Sequence, residues 1–343
     1  MALILTFKHP PIDLSFPSEY DFEQIDDLTY KLVSKTNEGP ITSIDECVFS
    51  SYTSLESIVI PNSVITIKKE AFSYCESLES IVIPDSVNTI GYRAFAYCKS
   101  LKSVVIPNSV NTIDDGVFYN CTSLESVVIP DSVNTIGEYA FRECTSLESI
   151  IMPDSVKTIG KGAIDGCTSL EFIIIPNSVN TIDSYAFFSC KSLKSVVIPD
   201  SVTNIDEFTF SSCRSLESVV IPDSVKNIGN GAFDRCTSLE SIVIPESVKT
   251  ISNFAFYSCT SLKSITIPDS VNTIGNKAFS SCKSLEYVVI PDSVISIQKD
   301  VFTECPSLKT VIIDGQTTEY LKEYFETNYP EIDLEFSHQY LLK

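Results

Sequence analysis

Nucleophiles, general bases and metal ligands are distributed unevenly along this chain. Its two histidines, His9 and His338, both lie in the flanking segments. A Ser-His or Cys-His pair needs its base within hydrogen-bond reach of the nucleophile, and no context around either terminus suggests one. No G-x-G-x-x-G and no phosphate-binding loop occurs. Cysteine is abundant, but eleven of the twelve occupy one column spaced by 23 residues, from Cys75, Cys98 and Cys121 to Cys305. Cys47 lies outside it, at the position of Arg93, and Tyr52 fills the column's place in the first copy.

Stacking that column would bring neighbouring Cα atoms about 5 Å apart, within disulfide range. Parallel Cβ vectors in a packed ladder do not favour the disulfide torsion, and an odd-numbered column would leave one thiol over. Zinc fits poorly, since there is no C-x-x-C and a single file offers no tetrahedral cluster. The column therefore reads as small buried apolar side chains. Free thiols fit a reducing compartment or a surface without oxidative folding. Serine recurs two residues after proline, from Ser63, Ser86 and Ser109 to Ser293, where a hydroxyl can satisfy backbone groups at a turn. Beside it runs an acidic column, Asp85, Asp131, Asp154, Asp200, Asp223, Glu246, Asp269 and Asp292, interleaved with Asn62, Asn108 and Asn177. A row of carboxylates could collect Ca²⁺, but adjacent like charges one rung apart, interrupted by asparagines, read first as solvated turn residues. The expectation is an unclustered set of groups with no cofactor, no metal and no enzyme activity.

These columns are products of a repeat. Eleven prolines, from Pro61 to Pro291, are spaced by 23 without an insertion, and Leu55 to Leu308 and Ile44 to Ile297 keep the same interval. The words I-P-D-S-V-N-T-I-G recur at Ile83–Gly91, Ile129–Gly137 and Ile267–Gly275. Within one copy, Ser126 to Ile129 is short, β-branched and followed by proline, so it reads as a strand. Pro130 to Ser132 reads as a turn. Val133 and Ile136 point inward, with a second short strand expected near Asn134 to Ile136. The next position is Gly or Asp in most copies, which predicts an N-cap and a short helical turn through Ala140 and Phe141 to Cys144. Lys68 and Gln298 at that position argue against an obligatory left-handed conformation there. One copy cannot bury its own apolar face, whereas stacked copies can, which predicts a repeat solenoid with a parallel β-sheet, one strand per coil.

The pattern L-x-x-[IV]-x-I-P-x-S-V-x-x-I-x-x-x-A-F-x-x-C over about Ile41 to Ile313 resembles the Treponema pallidum-type, or BspA-like, leucine-rich repeat. The resemblance implies a right-handed leucine-rich-repeat superhelix. It also implies protein binding, with surface or adhesion roles among relatives, and no catalytic residues. Residues 1–40 are expected to form an N-terminal cap, 41–313 the solenoid, and 314–343 a C-terminal helix-strand cap, with an interaction tail as the alternative. In that last segment Leu321, Tyr324 and Phe325 share a helix face and Ile332 to Phe336 alternates like a strand.

The net charge is −21, which disfavours nucleic acid and anionic lipid surfaces. No stretch is long enough to span a membrane, and the N-terminal apolar run Ala2 to Phe7 is too short for a signal-peptide core. A cytoplasmic location or non-classical export to the surface is expected on that basis. Strand alternation turns one residue per copy outward onto an expected concave face: Val59, Val82, Val105, Val128, Ile151, Ile174, Val197, Val220, Val243, Thr266, Val289 and Ile312. Phe172 and Tyr287 replace serine beside this column and have the character of anchors. Strand propensity alone would also place β-branched residues there. The expected partner is a protein, such as a host or extracellular-matrix protein on the adhesion reading. The alternative is an intracellular scaffold or assembly protein.

Overall fold

The computed structural model of the protein describes residues 2–9, 20–34, 39–315 and 319–337; His338 lies outside them. The chain forms two compact units, Met1–Ser178 and Val179–Lys343.

In the first unit, strands Leu3–Phe7, Tyr20–Gln24 and Thr29–Ser34 pair antiparallel. Leu3–Phe7 then pairs antiparallel with Leu55–Val59, the first repeat strand. From there the ladder is parallel through Ser80–Val82, Ser103–Val105, Ser126–Val128, Ser149–Ile151 and Phe172–Ile174. Register is offset by one 23-residue period, so Ser126 faces Ser103 and Val127 faces Val104. Two-residue strands such as Thr112–Ile113 and Thr135–Ile136 pair in the same way on the next side of each coil. Proline after the strand ends it by removing a ladder donor and fixing the turn.

The apolar columns fill the interior. Leu124, Val127, Ile129, Val133, Ile136, Ala140, Phe141 and Cys144 of one coil are all buried. Phe72, Phe95, Phe118 and Phe141 stack ring on ring with centroids 5.3 to 5.6 Å apart, and Ile164, also buried, ends that run. In the first copy Tyr52 stands in for cysteine and packs on Phe49 and Phe7.

The predicted helical turn is corrected by the structure: the segment from Gly137 to Cys144 is a chain of hydrogen-bonded turns. Tyr139 and Glu143 have φ of 55° and 59°, and two left-handed residues four apart interrupt a right-handed helix. Hydrogen bonding alternates. Arg142 and Cys144 donate back to Tyr139 and Phe141, while Tyr139, Phe141 and Glu143 donate across to Lys161, Ala163 and Asp165 of the next coil. The turn thus forms a third face of inter-coil bonds, and the same two positions are left-handed in coil after coil. The Gly/Asp position itself is not left-handed. Its aspartates cap the following amide, Asp114 Oδ1 accepting from Asp115 N at 2.8 Å.

The second unit repeats this plan. Ser195–Val197 pairs with Ser218–Val220, and Ser264–Thr266, Tyr287–Pro291 and Thr310–Asp314 form a second parallel set. Between them Ser241–Val243 is not in a strand, a departure from one strand per coil, although Ile242 stays buried and Val243 exposed. Phe187, Phe210, Phe233, Phe256, Phe279 and Phe302 stack at 5.3 to 5.7 Å. The helix Glu319–Asn328 continues the ladder by setting Phe325 against Phe302 at 6.0 Å. Its neighbouring tyrosines replace a missing coil's backbone: Phe302 N donates to Tyr329 Oη, Ile297 N to Tyr320 Oη, and Tyr324 Oη to Gln298 O. Strand Asp333–Phe336 then adds one more parallel pairing to Thr310–Asp314.

Candidate partner-binding face

The strand columns divide cleanly by alternation. In the first unit Val59, Val82, Val105, Val128, Ile151 and Ile174 are 59 to 78% exposed, against near-complete burial of their inward neighbours. At about 4.8 Å per rung, six such side chains form an apolar strip about 24 Å long. Their combined exposed surface is on the order of several hundred Å², the size at which a patch usually marks a contact. In the second unit Val197, Val220, Val243 and Thr266 are exposed, while Val289 and Ile312 are only half-buried rather than open. Phe172 is 57% and Tyr287 44% exposed, each beside its unit's aliphatic column.

The borders of the strip carry charge. Glu79, Lys102, Glu125 and Glu148 line one side, with Lys102 Nζ 3.6 Å from Glu79. Asp85, Asp131 and Asp154, with Asn62, Asn108 and Asn177, line the other and are exposed. Among the described residues no group of three or more His, Cys, Asp or Glu side chains is placed to hold a metal ion.

The serines beside the proline turn bond between coils. Ser86, Ser155 and Ser224 donate through Oγ to Val64 O, Val133 O and Val202 O at 2.6 Å. Every cysteine is free. The ladder thiols also donate, as Cys121 Sγ does to Phe95 O at 3.1 Å, so the column closes hydrogen bonds as well as packing. Burial pushes Cys213 up to about 12, which keeps that thiol protonated and unreactive.

A cluster of tyrosines and arginines on the turn side of the first unit has no counterpart in the sequence reading. Arg93 lies over Tyr92 and Tyr119 at 5.1 and 5.4 Å, and Arg142 over Tyr119 and Tyr139 at 5.7 and 5.3 Å. Arg142 Nε is 2.9 Å from Asp165 Oδ2. The 23-residue offset between Tyr119, Arg142 and Asp165 was the available signal.

In-register coils, a buried ladder and an open strand face define a leucine-rich-repeat solenoid protein. The model for the BspA type leucine rich repeat region matches residues 19–145, 112–239 and 203–333, and the chain belongs to that family. Among solved structures it is similar to a leucine-rich repeat protein from Bacteroides ovatus, with 26% identity and a TM-score of 0.64 over 93% of this chain and 98% of the other. It is also similar to a leucine-rich cell surface protein from Faecalibacterium prausnitzii, 31% identical with a TM-score of 0.57, covering 89% and 96%. The pneumococcal vaccine antigen PcpA, 19% identical, shares the fold at a TM-score of 0.59 over 92% and 87%. No curated protein matches the chain. Leucine-rich-repeat proteins are typically non-enzymatic protein-interaction modules. No helix among the described residues is long and apolar enough to cross a membrane.

Proposed function

We propose that this protein binds a protein partner across the outward strand face and works as a surface, adhesion-type module. The observation that carries this is the aliphatic column from Val59 to Ile174, open to solvent on every rung. A face kept apolar on six successive coils costs solubility unless something covers it. The similarity to a leucine-rich cell surface protein supports the location. Phe172 and Tyr287 are the anchor side chains, since large rings at a contact centre carry disproportionate binding energy. Residues 1–40 and 314–343 act on this reading as caps that keep the terminal rungs from pairing with other chains.

The test is a pulldown with wild type and a Val128→Glu, Val197→Glu double variant. Both side chains are exposed, so the variant folds, and partners captured by wild type are lost. Unchanged capture refutes the face. Biotinylation of intact cells labels the protein on the adhesion reading; labelling only after lysis refutes that part.

A further inference from the structure

Within the first unit the apolar strip is bordered by carboxylates on both sides over the rungs of Val128 and Ile151. Glu125 and Glu148 lie on one border, Asp131 and Asp154 on the other, all exposed. None of these four forms an ion pair among the described residues. The two members of each row sit one rung apart, and like charges directly opposite on neighbouring strands repel. A partner that supplies cations to both rows while covering the strip relieves that repulsion. The corresponding border of the second unit reads Lys194, Glu217, Glu240, Lys263, Glu286 and Lys309, and Lys263 Nζ lies 2.6 Å from Glu240, so its own lysines already offset part of that row.

The rung spacing says what shape of partner fits. A helix lays one side chain per turn along a line, about 5.4 Å apart, close to the rung spacing of about 4.8 Å. Over Val128, Ile151 and Ile174 the two drift apart by only about 1.2 Å. An extended strand laid the same way places same-face side chains about 6.7 Å apart and is out of step by about 4 Å. The width agrees as well. Glu125 and Asp131 are six residues apart, at most about 20 Å, and a helix with its side chains is about 10–12 Å across. That leaves at most about 4–5 Å on each side, which the head groups of lysine or arginine can fill.

Resting on the reading of this face as a protein-binding surface, we propose that its occupant is a basic amphipathic helix. The helix crosses the strands with one apolar side chain per rung and cations on both flanks. Three synthetic peptides of about five turns test this: one with a leucine stripe flanked by lysines, a twin with glutamates for the lysines, and a lysine twin broken by a central proline. Several exposed ion pairs, each modest, together give the basic helix an advantage of about tenfold over the acidic twin at low salt, and the proline break, which throws the leucines and lysines out of line, costs the lysine twin about as much. The advantage over the acidic twin disappears near 1 M salt, where screening acts over about 3 Å. Glu125→Lys with Glu148→Lys lowers affinity for the basic helix by about the same factor and raises it for the acidic twin. Equal binding of the acidic or the proline twin, or an unchanged affinity in the charge-reversed variant, overturns the proposal. If the Val128→Glu, Val197→Glu variant loses protein partners while the peptides show no preference, the face is a binding surface and only its helical, basic occupant is wrong. If that variant loses nothing, both readings fall.

Discussion

Asp165 offers a direct test of how this array handles a charge in its wall. Its side chain is 8% exposed and its Oδ2 sits 2.9 Å from Arg142 Nε, off the N–H direction, so the pair is close without an aligned hydrogen bond. Burial pushes the carboxyl up to about 6 even with Arg142 beside it, and Glu143 adds in the same direction. In the unfolded chain an aspartate ionises near 3.9. Between about pH 4 and pH 6 the folded state therefore holds more protons at this site than the unfolded state. Stability is highest below that window and falls as pH rises through it. A difference of about two pH units corresponds to about 3 kcal/mol, lost by about pH 7. Asp165→Asn keeps the shape and removes the titration. Urea unfolding at about pH 4 should then find variant and wild type similar, and at about pH 7 the variant more stable by up to about 3 kcal/mol. Asp206 and Asp234 are pushed upward by burial too, but they are present in both proteins and cancel in the difference. A variant whose relative stability is the same at both ends of the window would refute the reasoning. One weaker than wild type at neutral pH would show that the pair with Arg142 outweighs desolvation.

Thiol titration with an impermeant reagent should find Cys47, which is exposed, reacting at once and the half-buried Cys305 more slowly. The remaining ladder thiols should react only in denaturant, and stoichiometric disulfides there would contradict the free ladder. Phe95→Ala, which removes a fully buried ring stacked on both sides, should cost about 3–5 kcal/mol in chemical unfolding. Phe95→Ile should cost less, because Ile164 fills the same column. Ser258→Gly, at a residue held at φ 58°, should raise stability by several tenths of a kcal/mol, whereas Ser258→Val should lower it, both read from the thermal midpoint.

Most of the ladder was legible because one coil is written many times. The column assignments for Leu124, Val127, Val133, Ile136, Phe141 and Cys144 follow from period and alternation, and all are buried. The helical turn is not legible from sequence because propensity rules see one copy at a time. Ala140 and Phe141 next to a capping residue look helical within a single coil. Their amides are satisfied partly by the adjacent coil, and that possibility exists only once coils stack. The left-handed positions are hidden for a related reason: Gly116, Gly162 and Gly231 occupy one of them, but residues as different as Arg93, Tyr139, Phe208 and Lys277 share it, so the glycines do not stand out as a column. Alternation predicts Val289 to be open like Val128, yet it is half-buried, since alternation assigns a face and says nothing about what else covers it.

Where the copies agree they specify the stack, so chemistry has to come from where they differ, and the structure shows how a difference acts. Because register repeats every 23 residues, a substitution in one coil meets the same position of its neighbours. Tyr119, Arg142 and Asp165 occupy one position on three successive coils and become a ring, a cation and an anion in contact. The same arithmetic puts Glu125 beside Glu148 and Asp131 beside Asp154, where likeness rather than difference leaves charge uncompensated. A duplicated coil thus multiplies whatever lies on its open face: one exposed valine becomes an apolar strip, and one bordering carboxylate becomes a charged row. Altering a single coil then weakens binding only in part. A partner that reads the strip should lose affinity in proportion to the number of consecutive rungs changed.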